Sequence, residues 1–321
     1  MMNTLTKSLL ASAIAVTLVS GVQAEDAVTV YGKLNITAQS NDVQGDSKTE
    51  IQSNASRLGV KGAFDLGNNL EAFYTIEYEV DTGADTKNNF EARDQYVGLK
   101  GSFGAVSLGR SDTLLKKSQG KVDLFNDLSG DLKNLFKGEN RMSQTATYMT
   151  PEFSNFRFGV TYVAEADADQ DYTYVNGAGE TILKETDGFS VAGMYGDASL
   201  KSTPVYFAVA YDSEVKGYDI LRATAQGKIA GLKIGGMYQQ QEKSENGDSK
   251  SGYLFSLAYE IDAVTLNGQY QDMEDLGSSW SVGADYKLAK PTKLLAFYTQ
   301  REYDAKPKDD NYIGIGISHS F

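Results

Sequence analysis

Apolar and polar residues alternate with a period of two along most of this chain, and the alternation is clearest at its end. In the last eleven residues one set of alternate positions carries Ile313, Ile315, Ile317, His319 and Phe321. The intervening positions are Tyr, Gly or Ser. Successive side chains of a β-strand point to opposite faces, so this period predicts a strand with one face toward an apolar medium. A strand that runs to the final residue must pair with another strand.

The same alternation begins near residue 27 and predicts about sixteen strands, each close to the ten-residue length of an outer-membrane strand. In the first of them, Val28, Val30 and Leu34 share one face, while Lys33 and Asn35 share the other. The predicted strands are 27–40, 57–64, 71–80, 90–100, 105–112, 141–150, 156–166, 188–196, 205–212, 218–228, 232–243, 252–262, 264–271, 279–288, 293–301 and 311–321.

The predicted connections between these strands alternate between short and long. Short turns are expected at 67–69, 102–104, 151–155, 229–231 and 289–292, and longer charged links at 113–140, 167–187, 244–251 and 302–310. This alternation is typical of outer-membrane barrels. A sheet that crosses lipid must close on itself, because every backbone donor and acceptor there needs a partner within the protein. The fold class is therefore all-β, a transmembrane antiparallel β-barrel of about sixteen strands.

The first 24 residues have the features of a secretory signal peptide. Lys7 precedes an apolar run from Leu9 to Val19, and Ala24 ends a small-residue cleavage site. After this segment no apolar stretch reaches the roughly 18 residues that a spanning helix needs. We therefore expect residues 1–24 to be removed, and residues 25–321 to form a single exported barrel.

Composition removes several classes of function. Without Lys7 the chain carries 29 basic and 43 acidic side chains, a net charge of −14, which argues against a nucleic-acid partner. The chain has no Cys and one His, so thiolate nucleophiles, Cys-ligated zinc and two-histidine metal sites are excluded. The single His319 stands on the outward face of the last predicted strand beside Phe321, which argues against Ser-His-acid catalysis. We expect no enzyme activity, no cofactor and no bound metal.

Several stretches, in this order and spacing, resemble the Gram-negative general diffusion porins, and the resemblance covers essentially the whole mature chain. They are Val30-Tyr31-Gly32-Lys33, Ser56-Arg57-Leu58-Gly59-Val60-Lys61-Gly62, Ala92-Arg93 with Gly98-Leu99-Lys100, Leu108-Gly109-Arg110 and the terminal Phe321. The resemblance implies a passive channel for ions and small hydrophilic solutes in the outer membrane of a Gram-negative bacterium. It also implies a homotrimer in contact with outer-membrane lipid and lipopolysaccharide.

In that family the third outer loop folds into the lumen and opposes carboxylates to a basic ladder on the wall. By this resemblance the ladder is Lys33, Arg57, Arg93 and Arg141, with Arg110 a further candidate that could instead serve a subunit contact. The loop acids are Asp123, Asp127, Asp131 and Glu139, and Phe321 corresponds to the membrane-assembly terminus.

Two functional hypotheses remain, a passive channel with a modest preference for cations and an adhesion or attachment protein that acts through its outer loops. Loops of modest length favour the channel. Strict alternation also places Asp94 and Lys100 on the lipid-facing side, which is costly at mid-depth. The same alternation predicts an outer surface of small residues that favours subunit contact. Its members are Gly32, Gly62, Gly98, Ala105, Ser107 and Gly109.

Overall fold

The computed structural model describes residues 28–83, 89–167, 169–245 and 247–321, so the predicted cleavage after Ala24 lies outside the described residues. Within these ranges the chain forms nineteen strands, one short helix α1 (Leu114–Ser118) and one 3₁₀ turn (Leu132–Asn134). The strands are β1 (Thr29–Val43), β2 (Asp46–Ser53), β3 (Arg57–Gly67), β4 (Leu70–Val80), β5 (Phe90–Gly101), β6 (Gly104–Asp112), β7 (Arg141–Met149), β8 (Phe156–Val163), β9 (Tyr172–Val175), β10 (Thr181–Lys184), β11 (Gly188–Gly196), β12 (Val205–Val215), β13 (Tyr218–Ile229), β14 (Leu232–Lys243), β15 (Lys250–Ile261), β16 (Val264–Met273), β17 (Gly277–Ala289), β18 (Thr292–Tyr303) and β19 (Asp310–Ser320).

The sheet closes because the first and last strands pair in antiparallel fashion, from Lys33 opposite Ser320 to Asp42 opposite Asn311. β2 and β3 both pair with β1, one beyond the other, so together they occupy one position in the wall. β8 pairs directly with β11, which leaves β9 and β10 as a separate hairpin. The described residues therefore form a closed antiparallel barrel of sixteen strand positions, and the predicted fold class is confirmed.

The two faces of the wall differ as the alternation predicts. Large apolar side chains are exposed on one face, among them Ile315 at 65% and Phe255 at 60%. Polar side chains on the other face are buried, and Gln239 and Thr161 have no exposed surface. All four prolines fall outside strands, as a continuous ladder requires. In the part of the chain that is described, no helix has the length and apolar character needed to cross a bilayer.

A β-bulge in β5 corrects the predicted orientation of Asp94 and Lys100. Ile76 faces Gln95 and Tyr78 faces Ala92, so Arg93 and Asp94 together oppose Glu77. A bulge inserts one extra residue and reverses the alternation beyond it. Lys100 consequently reaches Glu71 on the polar face at 2.9 Å, and Asp94 pairs with Arg141 at 2.9 Å. The lipid-facing assignment of these two charges was wrong.

The predicted small-residue exterior was wrong for four of its six members. Val97 and Leu99 are exposed beyond the bulge, and Val106 and Leu108 are exposed in β6. Gly98, Ala105, Ser107 and Gly109 alternate with these residues and lie on the inner face. Gly32 and Gly62 do face outward, but the rings of Phe321 and Tyr74 occupy the space where a Cβ would lie. This surface therefore provides no argument for a trimer.

The hairpin of β9 and β10 was not predicted, since 167–187 was expected to be a link. Its turn is held by Asn176, whose side-chain oxygen accepts the backbone N–H groups of Ala178 and Glu180. Lys184 then reaches Glu214 and Glu245, each at 2.6 Å. The alternating Tyr-Thr-Tyr-Val before Asn-Gly was the signal that could have found it.

Candidate functional site

The segment between β6 and β7, residues 113–140, packs against the polar face of the barrel wall. It begins with α1, whose N–H at Lys116 is accepted by the Thr113 hydroxyl at 3.3 Å. Leu114 and Leu115 of α1 are buried with residues of β11 to β13, which are Ala192, Ala210 and Ile220. The helix is five residues long, so tertiary packing rather than intrinsic helix stability keeps it formed.

Two further apolar clusters fix the middle of this segment. Val122 and Leu132 lead one cluster, which includes Leu135 and Phe136 of the segment and Met237, Leu254 and Met273 of β14 to β16. Phe125 leads the other, against Leu295 and Phe297 of β18. Burying each large apolar side chain contributes roughly 1.5–3 kcal/mol, so these clusters add to the anchoring of the segment on the wall.

A set of wall glutamines bonds to the backbone of the same segment. Gln269 accepts the N–H of Leu124 at 2.8 Å and donates to the carbonyl of Gly130 at 3.0 Å. Gln241 accepts the N–H of Lys137 at 3.0 Å. Further bonds of this kind involve Gln226, Gln239 and Gln271. A buried amide side chain can satisfy a backbone donor or acceptor without burying a charge, which suits an irregular segment packed on a sheet.

Arg222 of β13 is the central anchor of segment 113–140, and it was not among the predicted site residues. Its side chain has no exposed surface, and it donates to Glu139 at 2.7 Å and to the carbonyls of Leu115 at 3.3 Å and Lys137 at 3.2 Å. Burial raises the pKa of Glu139, and the guanidinium of Arg222 opposes that shift. Arg222 stands at an inward position of the predicted strand 218–228, so the alternation itself was the signal that could have found it.

The structure brings Lys33 and Arg57 together with Asp127. Lys33 of β1 and Arg57 of β3 are direct cross-strand neighbours. Asp127 lies in the middle of segment 113–140, with its Oδ2 at 3.3 Å from the Lys33 ammonium and 3.5 Å from the Arg57 guanidinium. These two wall cations therefore share one carboxylate from the segment.

Arg93 and Arg141 are matched instead by carboxylates of the wall itself. Arg93 contacts Glu77 at 2.6 Å and Glu79 at 2.7 Å. Arg141 contacts Asp94 and Asp112, each at 2.9 Å. Each of these arginines is bound by two acids, so basic and acidic side chains alternate along this part of the wall.

Arg110 and Phe321 lie apart from this row. Arg110 donates to the carbonyl of Ala92 at 3.2 Å and approaches Asp169 at 3.7 Å, an acid that pairs with none of the four other basic residues. Phe321 exchanges two backbone hydrogen bonds with Gly32, at 3.0 and 3.1 Å, and its ring covers that glycine. Phe321 therefore completes the closure between β19 and β1.

Asp123 and Asp131 turn back into their own segment. Asp123 accepts the N–H groups of Phe125 and Leu132, each at 3.0 Å, and burial beside Asp131 raises its pKa to about 8. Asp131 accepts the N–H groups of Asp127 and Lys133, each at 2.9 Å. Of the four predicted loop acids, Asp127 is the one placed against Lys33 and Arg57.

The fold and the charged interior define a class, the transmembrane β-barrel with a polar inner wall. Comparison with known proteins identifies the family within that class. A family model described as Gram-negative porin matches residues 11–306. The major outer membrane protein P.IB of Neisseria meningitidis is 27% identical over 346 aligned positions, which cover 97% of this chain and 99% of that protein.

A second relative supports the family, and a solved structure supports the fold. An outer membrane porin protein of Bordetella pertussis is 25% identical over 389 positions, covering 98% of this chain and all of that protein. The solved anion-selective porin from Comamonas acidovorans superposes with a TM-score of 0.73 at 21% identity, covering 92% of this chain and all of that one. The chain belongs to the Gram-negative porin family, and its location is the outer membrane.

Proposed function

We propose that the protein forms a water-filled channel for passive diffusion of ions and small hydrophilic solutes, and that segment 113–140 lies in the lumen as its constriction. The observation that carries this proposal is the anchoring of 113–140 on the inner polar face, with Asp127 held against Lys33 and Arg57. Opposed charges at a narrow polar aperture order water and favour small polar solutes over apolar ones.

The proposed selectivity is a modest preference for cations. Arg93 and Arg141 are each matched by two carboxylates, so neither contributes an uncompensated positive charge to the aperture. The net charge of −14 on residues 25–321 then sets the sign of the potential in the lumen. The Comamonas protein is described as anion-selective. Anion preference is therefore the outcome that would contradict the selectivity proposed here.

The zero-current potential of the reconstituted protein across a potassium chloride gradient tests both points. We expect a potential of the sign that cation preference produces, and a larger one for the double variant Arg57→Gln with Arg93→Gln. The effect should shrink at 1 M salt, where the Debye length is about 3 Å. Anion preference in the unaltered protein would overturn the proposed selectivity, and the absence of any conductance would overturn the channel.

The proposed mature form is a trimer of residues 25–321, in contact with outer-membrane lipid and lipopolysaccharide. Intact-mass analysis of protein from outer membranes should give a chain that begins at Glu25. Unheated samples in sodium dodecyl sulfate should migrate as a trimer and heated samples as a monomer. Retention of Met1 would contradict the cleavage, and monomers in every unheated sample would contradict the trimer.

A further inference from the structure

The connection between β11 and β12, residues 197–204, is the longest link at its end of the barrel. The links at 68–69, 102–103, 230–231, 262–263 and 290–291 are two residues long and the link at 150–155 has six, and together they define what we call the short-turn end. Turn 197–204 has eight residues and a fixed shape. The Asp197 carboxylate accepts the N–H groups of Ser199 at 2.7 Å and of Lys201 and Ser202 at 3.0 Å.

Turn 197–204 and segment 113–140 meet at the inner face of β13. The Gln226 side chain accepts the N–H of Lys121 at 3.0 Å and donates to the carbonyl of Ala198. Tyr206, buried in β12, donates to the carbonyl of Ser118 at 3.2 Å. Between them the turn, the segment and the inner wall of β14 to β18 enclose a cavity of about 370 Å³.

Three lysines and three acids line this cavity, and two of the acids are paired with lysines of the lining. Lys233 shares Glu260 with the neighbouring Lys228, at 2.6 and 3.0 Å, so two ammonium groups face one carboxylate. Lys293 is matched by Asp285 at 2.8 Å.

Lys121 is the third lysine of the lining. It is exposed, it lines the cavity, and it forms no ion pair within the described ranges. The remaining acid of the lining, Asp123, directs its oxygens to Phe125, Leu132 and Gln269. Asp123 therefore does not neutralise Lys121 by direct contact.

A second, smaller cavity of about 60 Å³ extends this space toward the constriction. The two cavities share Leu124, Asn267, Asp285 and Lys293 in their linings, and Lys33 lines the smaller one. An anion released from Lys33, where Asp127 competes for the same ammonium, can therefore pass to Lys293 and then to Lys121.

We propose that the larger cavity is a binding site for small oxyanions, carboxylates or phosphates, with Lys121 as the residue that recognises their charge. This inference rests on the proposed channel, because solutes reach the cavity through the lumen. Ammonium groups and the neutral donors Ser199, Ser256 and Asn267 suit oxyanions, which accept several charge-assisted hydrogen bonds.

The test measures how strongly succinate, in one arm, and inorganic phosphate, in the other, reduce the single-channel potassium chloride current. We expect both to reduce the current of the unaltered protein, and Lys121→Gln to weaken the reduction about fourfold, the effect of one unit charge about 5 Å away in water. Lys121→Arg should preserve the effect. Lys290→Gln, which removes a lysine from a turn at the same end but outside the lining, should behave as the unaltered protein.

Reduction by one probe alone supports the site and assigns its preferred oxyanion. A conducting protein that neither probe affects, or a Lys121→Gln variant that responds like Lys290→Gln, overturns the site and leaves the channel standing. A protein that does not conduct overturns the channel and this inference with it. Heat-modifiable migration in sodium dodecyl sulfate shows that each variant has folded.

Discussion

Two arcs of the barrel wall satisfy the polar side chains on its inner face in different ways. The bare arc, β1 to β7, balances charge against charge, as in Arg141 between Asp94 and Asp112. The covered arc, β11 to β18, carries segment 113–140 and meets it with glutamines and apolar side chains, of which Gln269 and Leu254 are examples. Its one fully buried arginine, Arg222, serves the segment rather than open water.

The difference follows from what each arc faces. Charges that border water remain hydrated, so a row of ion pairs costs little and shapes the local potential. A surface covered by backbone must supply donors and acceptors at fixed positions, and neutral amides do so without the cost of burying a charge. In the proposed channel, conduction is therefore a property of the bare arc, and the position of the constriction is a property of the covered arc.

The largest expected effect is on the covered arc. Arg222→Ala would leave Glu139 buried without its cation, which typically costs about 3–5 kcal/mol, so segment 113–140 should detach from the wall. We expect frequent transient changes in single-channel current and rapid proteolysis within 113–140. Arg157→Ala removes a half-exposed arginine with one long contact of 3.6 Å and should leave both unchanged.

Replacing Arg222 by Met together with Glu139 by Leu tests whether the unpaired charge of Glu139 causes the detachment. The double variant has no unpaired buried charge, so it should recover much of the lost anchoring. If Arg222→Ala alone left the current steady and the segment resistant, the apolar clusters would be sufficient anchors and the contrast between the arcs would fail.

A smaller effect is expected where the two arcs join, at the pairing of β19 with β1. Deleting Phe321 removes two backbone hydrogen bonds to Gly32 and an aromatic group from the lipid-facing side, and we expect severalfold less folded barrel in the outer membrane. Phe321→Tyr retains the ring and should assemble normally. Heat-modifiable barrel in undiminished amount after the deletion would contradict an assembly role for this terminus.

The smallest effect concerns turn 197–204 at low pH. The N–H groups of Ser199, Ser202 and Lys201 hold the pKa of Asp197 below its ordinary value. Because the folded pKa is depressed, this stabilisation is complete above the unfolded pKa of about 3.9 and is lost as pH falls through the folded value. The backbone amides of the turn should be protected from hydrogen exchange at pH 4. Their protection, measured relative to the intrinsic exchange rate at each pH, should decrease at lower pH.

Asp197→Ala should make the turn exchange rapidly at every pH. Asp65→Ala is the matched control at the same end of the barrel, since Asp65 accepts the single N–H of Gly67 at 2.7 Å. Equal exchange in the two variants would show that the carboxylate of Asp197 does not organise the turn.

The strands were predictable because alternation is a local property, recorded in every pair of neighbouring residues. The bulge at Arg93 and Asp94 was not predictable, because nothing in the sequence of β5 marks the point at which two of its residues oppose one residue of β4. Arg222 had the right parity but no local sign of its function, since its partners Glu139 and Lys137 lie more than eighty residues earlier. Contacts between distant segments depend on barrel closure, which periodicity does not specify.

The bulge in β5 affects which one-codon deletions the gene can tolerate. Gain or loss of one codon in a strand normally turns every later side chain to the opposite face. Loss of one codon at Arg93 or Asp94 is the exception, because a single residue would then oppose Glu77 and Lys100 would stay on the polar face. One-codon deletions should therefore be tolerated at this bulge, as they are between strands, and selected against at the other positions within β5.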